Sequence, residues 1–327
     1  MKPQPLLKDT ILGKIKEKGG WVNAHAHFDR AYTVNPGSLK QGHALMEQKW
    51  TLVDELKRGS SEEDYFARIE QSVLAMIAQG VTAACTFVDV DELSGLRALK
   101  AAVSVKKKYR DKITIRLINQ VLKGVVNEKA RRWAEKSLEY VDIIGGLPSK
   151  DRPSPEKHLD ILFSWARGTG KMVHVHVDQE NNPDEHDTEL LAKKTIEHGM
   201  EGRVVAVHAI SVGAQAKQKR KELYTLMKAA GLTVVCSPSA AISMKPLDYT
   251  TEIHNSIVPV LELLEAGIAV ALGTDNISDI YQPLVDGDMY TELRLLAEAC
   301  RFYDINKLVQ IATVNGRHAL GLAKGSI

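Results

Sequence analysis

A chain of 327 residues, 44% hydrophobic and 26% charged, has the composition of an ordinary globular protein with one sizeable core. Its 43 basic and 41 acidic side chains leave a formal charge of +2, so there is no basic excess to argue for a nucleic-acid partner. No stretch approaches the ~20 consecutive apolar residues that span a bilayer, which argues against a membrane partner.

Cys85, Cys236 and Cys300 are far apart and none sits in a CxxC pair, which disfavours a disulfide framework or a thiolate zinc site. A reducing cytoplasm is the expected compartment. The opening MKPQPLLKDTILGKIKEKGG mixes apolar and basic residues without an uninterrupted apolar core and makes a poor signal peptide.

In chain order, short β-branched runs predict strands over 21–28, 81–88, 112–121, 141–146, 171–178, 203–209, 232–237 and 268–274. The first ends in WVNAHAHFD and carries His25 and His27. About thirty residues, Asp29 to Ser60, then separate it from the next helix; loops this long are usually functional or hold a helix of their own, and a cover over the barrel mouth is expected. The fifth strand carries His174 and His176, and DEHDTELLAKKTIEHG after it reads as a helix with Gly199 as C-cap. His208 follows VVAV on the sixth, and Asp275 ends AVALGTD on the eighth, where Gly273 is expected to let the backbone turn.

Strands alternating with helical patterns indicate repeated βα units on a parallel sheet, and eight such units close most naturally into a (β/α)8 TIM barrel spanning 1–327 as a single domain. An open doubly wound sheet is the runner-up, but it would struggle to bring a first-strand residue near a last-strand one. In the barrel all four motifs fall at the C-terminal rim, where active sites of this fold are built.

Alternating side chains put His25 and His27 on one face, one pleat apart, so both imidazoles can reach a common metal. An HxH pair also occurs as hydrogen-bonded core histidines, and an Asp after a strand is commonly a helix N-cap. The ordered set favours the chemical reading: His25, His27, His176, His208 and Asp275 are a ligand-type set that can hold a divalent metal and activate a water. His176 lies nearer the rim than His174, which is expected a layer deeper, with the reverse assignment left open. His208 is a ligand, a water-orienting group or a carbonyl-polarising group. His43, His158, His186, His198, His254 and His318 fall in loops or helical patterns and are expected at the surface. The acidic run Asp178, Glu180, Asp184, Glu185, Asp187 and Glu189 is expected to feed the N-terminus of the following helix.

With VNAHAHFDR, HVDQ, VHAIS, VCSPSAAISM, GTDNISDIYQPLVDGDM and ATVNGRHALGL in hand, the chain resembles the amidohydrolase superfamily, in its cytosine-deaminase-like branch. The resemblance implies one divalent metal, zinc first and iron or manganese as alternatives, on His25, His27, His176 and Asp275. It also implies Asp275 as proton shuttle and His208 at the water or substrate. Three departures qualify it. Gln179 stands where deaminases of this branch carry a Glu that shuttles a proton, and an amide cannot exchange protons as a carboxylate does. Members that release an alkylamine, such as N-isopropylammelide isopropylaminohydrolase, and amide-cleaving members therefore become more attractive. INQVLKGVV does not reproduce the Phe-Pro-Gln-Glu-Gly stretch that presents a substrate-reading Gln; Lys123, with Arg30 and Asn276, is expected to bind substrate instead. The flanking β-sandwich of most relatives is not expected.

The expectation is a C–N hydrolase acting on a small, nitrogen-rich, cyclic substrate through catalytic Asp275, His208 and Gln179. A conventional ammonia-releasing deaminase and an inactive metal-containing binding module are the alternatives. A binuclear site needs a lysine at the end of strand four, and DIIGGLPSK offers Lys150 only beyond it. The expected partner is a small-molecule substrate, with self-association into a homo-oligomer left open.

Overall fold

A computed structural model describes residues 6–39, 42, 46–180, 182–243 and 257–322. Eight parallel strands follow one another in sheet order β1 to β8: β1 (Trp21–Asn23), β2 (Val81–Asp89), β3 (Thr114–Gln120), β4 (Ile143–Gly146), β5 (Met172–Val177), β6 (Val204–His208), β7 (Thr233–Cys236) and β8 (Val270–Leu272). The ring is drawn together between last and first: the Ala24 N–H donates to the Leu272 carbonyl at 2.8 Å, and Ala26 bridges Asp275 in parallel. This is the (β/α)8 TIM barrel, and among the described residues every strand belongs to its one sheet.

β1 and β8 are shorter than the apolar runs suggested. His25 and His27 lie beyond β1, in extended chain held by the Phe87 N–H on the Ala26 carbonyl (2.8 Å) and the His27 N–H on the Asp275 carbonyl (3.2 Å). Gly273 serves close approach rather than a turn, because a Cβ there would stand 2.7 Å from the Cβ of His25. Only a residue without a side chain lets β8 press against the HxH segment.

Two apolar layers hold the barrel. Inside, Val22, Ala24, Cys85, Phe87, Ile118, Val205 and Val207 fill the lumen; outside, the other face of each strand packs on the helices. Strands buried on both faces explain why they read as continuous β-branched runs. Helix Glu62–Ala78 starts at a capping box between Ser61 and Asp64, and helix Asp187–Glu197 ends with Gly199 at φ +62°. The long Asp29–Ser60 segment contains its own helix, Met46–Gly59. No helix among the described residues is long and apolar enough to cross a membrane.

Candidate active site

The strand ends bring five side chains to one point. His25 Nε2 stands 3.2 Å and His27 Nε2 3.4 Å from Asp275 Oδ1, His176 Nε2 is 3.4 Å from His27 Nε2, and His208 Nε2 is 3.9 Å from Asp275 Oδ2. Donors ~2.1 Å from a shared tetrahedral ion lie ~3.4 Å from one another. Two triads sharing His25, one with His27 and Asp275 and one with His176 and His208, each bring their ligand atoms within 4.8 Å of one another, and the 3.2–3.4 Å separations of His25 and His27 from Asp275 are those a divalent ion needs. The rings wrap Phe87, with His176 at 4.4 Å and His25 at 5.1 Å between centroids. His174 is directed away, its Nε2 against the Ala319 carbonyl at 2.8 Å in the floor of the barrel. At the end of β4, where a bridging lysine would stand, are Gly145 and Gly146; Lys150 lies over the Trp50 ring at 3.7 Å.

The backbone is bent to present these groups. Asp178, His208 and Asp275, each just at or past a strand end, have φ of 50°, 75° and 60°. Non-glycine residues adopt that region at a cost and hold it where the surrounding fold over-determines it. Burial lowers His27 and His176 well below the ordinary imidazole range and His208 to about 4, even against the Asp275 charge beside His208. All three are neutral at pH 7, the form that offers a lone pair to a cation. Burial pushes the Asp275 carboxyl up, but the His25 hydrogen bond and the neighbouring charges outweigh it and hold it below its ordinary value. The Asp275 carboxylate thus stands among three neutral imidazoles, those of His27, His176 and His208.

Above the cluster opens a cleft of about 580 Å³, including its mouth. Arg30, Asn276 and Gln179 line it. Arg30 Nε donates to Asn276 Oδ1 at 2.9 Å, and Asn276 Nδ2 donates to Asp275 Oδ1 at 3.0 Å. The guanidinium also faces Asp89 and Asp279, each at 3.5 Å, and lies 4.9 Å from the Tyr281 ring centroid. Lys123 is placed differently: it pairs with Asp54 at 2.5 Å and lines grooves outside the cleft. The sheet register explains this, since β3 ends at Gln120 and it is Gln120, its Oε1 buried without a partner, that reaches the cleft. Gln120 was visible as the last residue but one of a predicted strand aimed at the rim. Glu180 lines an outer groove with Arg152 rather than the cleft.

Other lining residues carried no sequence signal. Lys49 and Trp50 come from the helix inside the long segment, and Tyr281 and Gln282 from the loop after β8. His158, expected at the surface, is buried: its Nδ1 contacts Asp151 at 2.6 Å and its Nε2 accepts the Leu147 N–H at 2.9 Å, so it braces the end of β4. His43 and His254 lie outside the described residues. Of the acidic run, Asp178 caps the next helix, accepting the N–H groups of Asp187 at 2.8 Å and Thr188 at 3.2 Å, whereas Glu185 turns to Ser211 and Arg152.

A parallel barrel with histidines past the end of β1 and on β5 and β6, and an aspartate past the end of β8, carries on its C-terminal rim a group that could hold a metal ion, the layout of a hydrolase. The sequence profile of the amidohydrolase family matches residues 19–327, and the chain belongs to that family, which makes it a C–N hydrolase. An uncharacterised protein of Haemophilus influenzae is 46% identical over 261 residues, 79% of this chain and 95% of the other. N-isopropylammelide isopropyl amidohydrolase of Pseudomonas sp. (strain ADP) is 26% identical over 339 aligned positions, covering 99% of this chain and 81% of that one. The crystal structure of 5-methylcytosine deaminase from Klebsiella pneumoniae, liganded with 5-fluorocytosine, superposes with a TM-score of 0.86 at 25% identity, covering 93% of this chain and 75% of that one.

Proposed function

We propose that this barrel hydrolyses a C–N bond at an amide or amine-substituted carbon of a small, nitrogen-rich, cyclic substrate. The observation that carries the reading is the convergence of His25, His27, His176, His208 and Asp275 at the base of the cleft, with His25 and His27 at 3.2 and 3.4 Å from Asp275 and His176 at 3.4 Å from His27. One divalent ion on His25, His27, His176 and Asp275, zinc first and iron or manganese as alternatives, would supply an acidified water (pKa moved from 15.7 toward ~7) and a positive charge at the reacting centre. The donor set, imidazole nitrogens and a carboxylate oxygen, is of the kind all three ions accept.

The chain's own residues account for the proton and charge movements. Asp275, ionised and facing the cleft, takes a proton from the attacking water and delivers it to the leaving nitrogen. His208, neutral and 3.9 Å from Asp275 Oδ2, stabilises the oxygen that gathers charge in the tetrahedral adduct. Arg30, Asn276 and Gln120 offer hydrogen bonds to the ring's carbonyl and nitrogen edge; Gln120 Oε1 has no hydrogen-bond partner among the described residues, and Arg30 Nη1 has only the 3.5 Å ion pair with Asp89.

Gln179 favours release of a substituted amine or opening of an amide over release of ammonia. It lines the cleft with His176 and His208, and an amide there donates or accepts a hydrogen bond without exchanging a proton. A conventional heterocycle deaminase is the second reading, favoured by the superposition on 5-methylcytosine deaminase. An inactive binding module is opposed by Asp275, which a binder has no need to keep ionised beside His208.

Product analysis decides between these readings. Metal-replete protein is given aminopyrimidines, N-alkylated triazines, cyclic amides and linear N-acyl compounds, followed by ammonia detection and mass spectrometry. Amine release or ring opening without ammonia is the expected result. Ammonia from an aminoheterocycle would establish the deaminase, and silence across the panel would favour the binding module.

A further inference from the structure

Helix Met46–Gly59 lies at the barrel mouth and sends Lys49 and Trp50 into the cleft. Lys49 is 7% exposed, and its Nζ donates to the Tyr281 carbonyl at 3.3 Å. Among the described residues no carboxylate lies within the 4.0 Å of an ion pair; Asp279 acts on it only from farther off. The two other buried cations at this rim are neutralised: Arg30 by Asp89 and Asp279, and Lys57 by Asp91 at 2.6 Å and Asp89 at 3.2 Å. Asp275 is the one carboxylate among the described residues that line the cleft, and it belongs to the metal set. A buried ammonium that keeps no counter-ion is costly unless something else brings the negative charge.

We propose that Lys49 is a substrate-binding residue that selects for an anion, so that the ring entering this cleft carries a carboxylate or an ionised ring oxygen held beneath the cover helix. Trp50 beside it offers an aromatic face to the same ring. The unpartnered amide of Gln282, both of whose polar side-chain atoms are buried, supplies neutral contacts that leave the Lys49 charge uncancelled. The inference rests on the proposed hydrolase reading for its chemistry, and on the cleft alone for its binding.

Calorimetric titration of metal-replete protein with three rings tests it: uracil as the neutral member, 6-carboxyuracil for a carboxylate and cyanuric acid for an ionised ring oxygen. Wild type should bind one of the two anions about tenfold tighter than uracil, or better. Lys49→Met should erase that margin without weakening uracil, and Lys49→Arg should keep it. Absence of an anion preference in wild type, a margin that survives in Lys49→Met, or equal weakening of all three rings would overturn the proposal, the last by making Lys49 a latch on the Tyr281 carbonyl. C–N cleavage is followed in parallel. Anion preference without cleavage anywhere in the wider panel would remove the hydrolase reading and leave the anion site, whereas cleavage without anion preference would do the reverse.

Discussion

Asp275 joins the two halves of the proposed chemistry, as a member of the metal set and as the base beside His208. Asp275→Asn keeps the shape and the neighbours of the side chain but loses the proton-accepting oxygen. Turnover should fall about 10³-fold with the circular dichroism spectrum unchanged; near-normal turnover would remove the mechanism. Gln179→Glu should raise ammonia release from aminopyrimidines or aminotriazines, and no change there would mean that cleft shape sets the reaction. Glu292, whose carboxylate accepts the Ser239 N–H at 3.0 Å, is raised by burial from 4.5 to about 7 against that hydrogen bond. The folded protein holds this proton more tightly than the unfolded chain, so stability declines as pH rises from 4.5 toward 7 and is level beyond. Glu292→Gln should therefore melt higher than wild type at about pH 8 and lose that advantage at about pH 4, read by calorimetry; an equal difference at both would contradict the assignment. The histidines and Asp275 were legible because each closes an apolar run, and a strand end in this fold is a place on the rim. Lys49 was not, because nothing in a surface-type helix sequence says which lysine the barrel mouth will bury. His158 was misread for a related reason: its partners, Asp151 and the Leu147 N–H, belong to the β4 loop rather than to its own helix.

Among the elements, the Asp29–Ser60 segment contributes most to the site beyond the strand ends. Its helix is fastened to the barrel by Lys57, 2% exposed, whose ammonium lies between Asp91 and Asp89. Asp29 extends the network by accepting the Asp89 N–H at 2.9 Å, and Arg97 caps it by donating to the Lys57 and Ser60 carbonyls. Lys57→Met would leave Asp91 buried without its cation and Asp89 with Arg30 alone, and should cost about 3 kcal/mol or more in urea unfolding. It should also raise KM, because the same helix carries Lys49 and Trp50. A loss below about 1 kcal/mol with KM unchanged would show that the cover is held by other contacts. The length of the segment signalled a functional cover, but the ion pairs that seat it join residues over thirty positions apart and leave no periodic trace. Strand ends were blurred for the opposite reason: apolar runs continue past the last ladder bond, so β1 and β8 were drawn longer than their pairing supports.

At the scale of the whole molecule, the order β1 to β8 was readable from the alternation of strand and helix patterns, since each parallel pair needs a helical crossover and seven successive pairs, each turned the same way, bring the eighth strand beside the first. That closure turns residues 250 positions apart, His25 and Asp275, into neighbours 3.2 Å apart. It would also couple the site to the fold, because a metal ion held by His25, His27, His176 and Asp275, as proposed, would tie the ring across its closing seam. Its removal should lower the melting temperature as well as abolish turnover. The most direct test of this account is the metal content per chain of purified protein, measured by mass spectrometry of the elements beside turnover in wild type and in a His25→Ala, His27→Ala double variant. One divalent ion per chain, absent from the variant, with turnover proportional to occupancy, is the predicted result; two ions per chain, or turnover that persists without any, would contradict it.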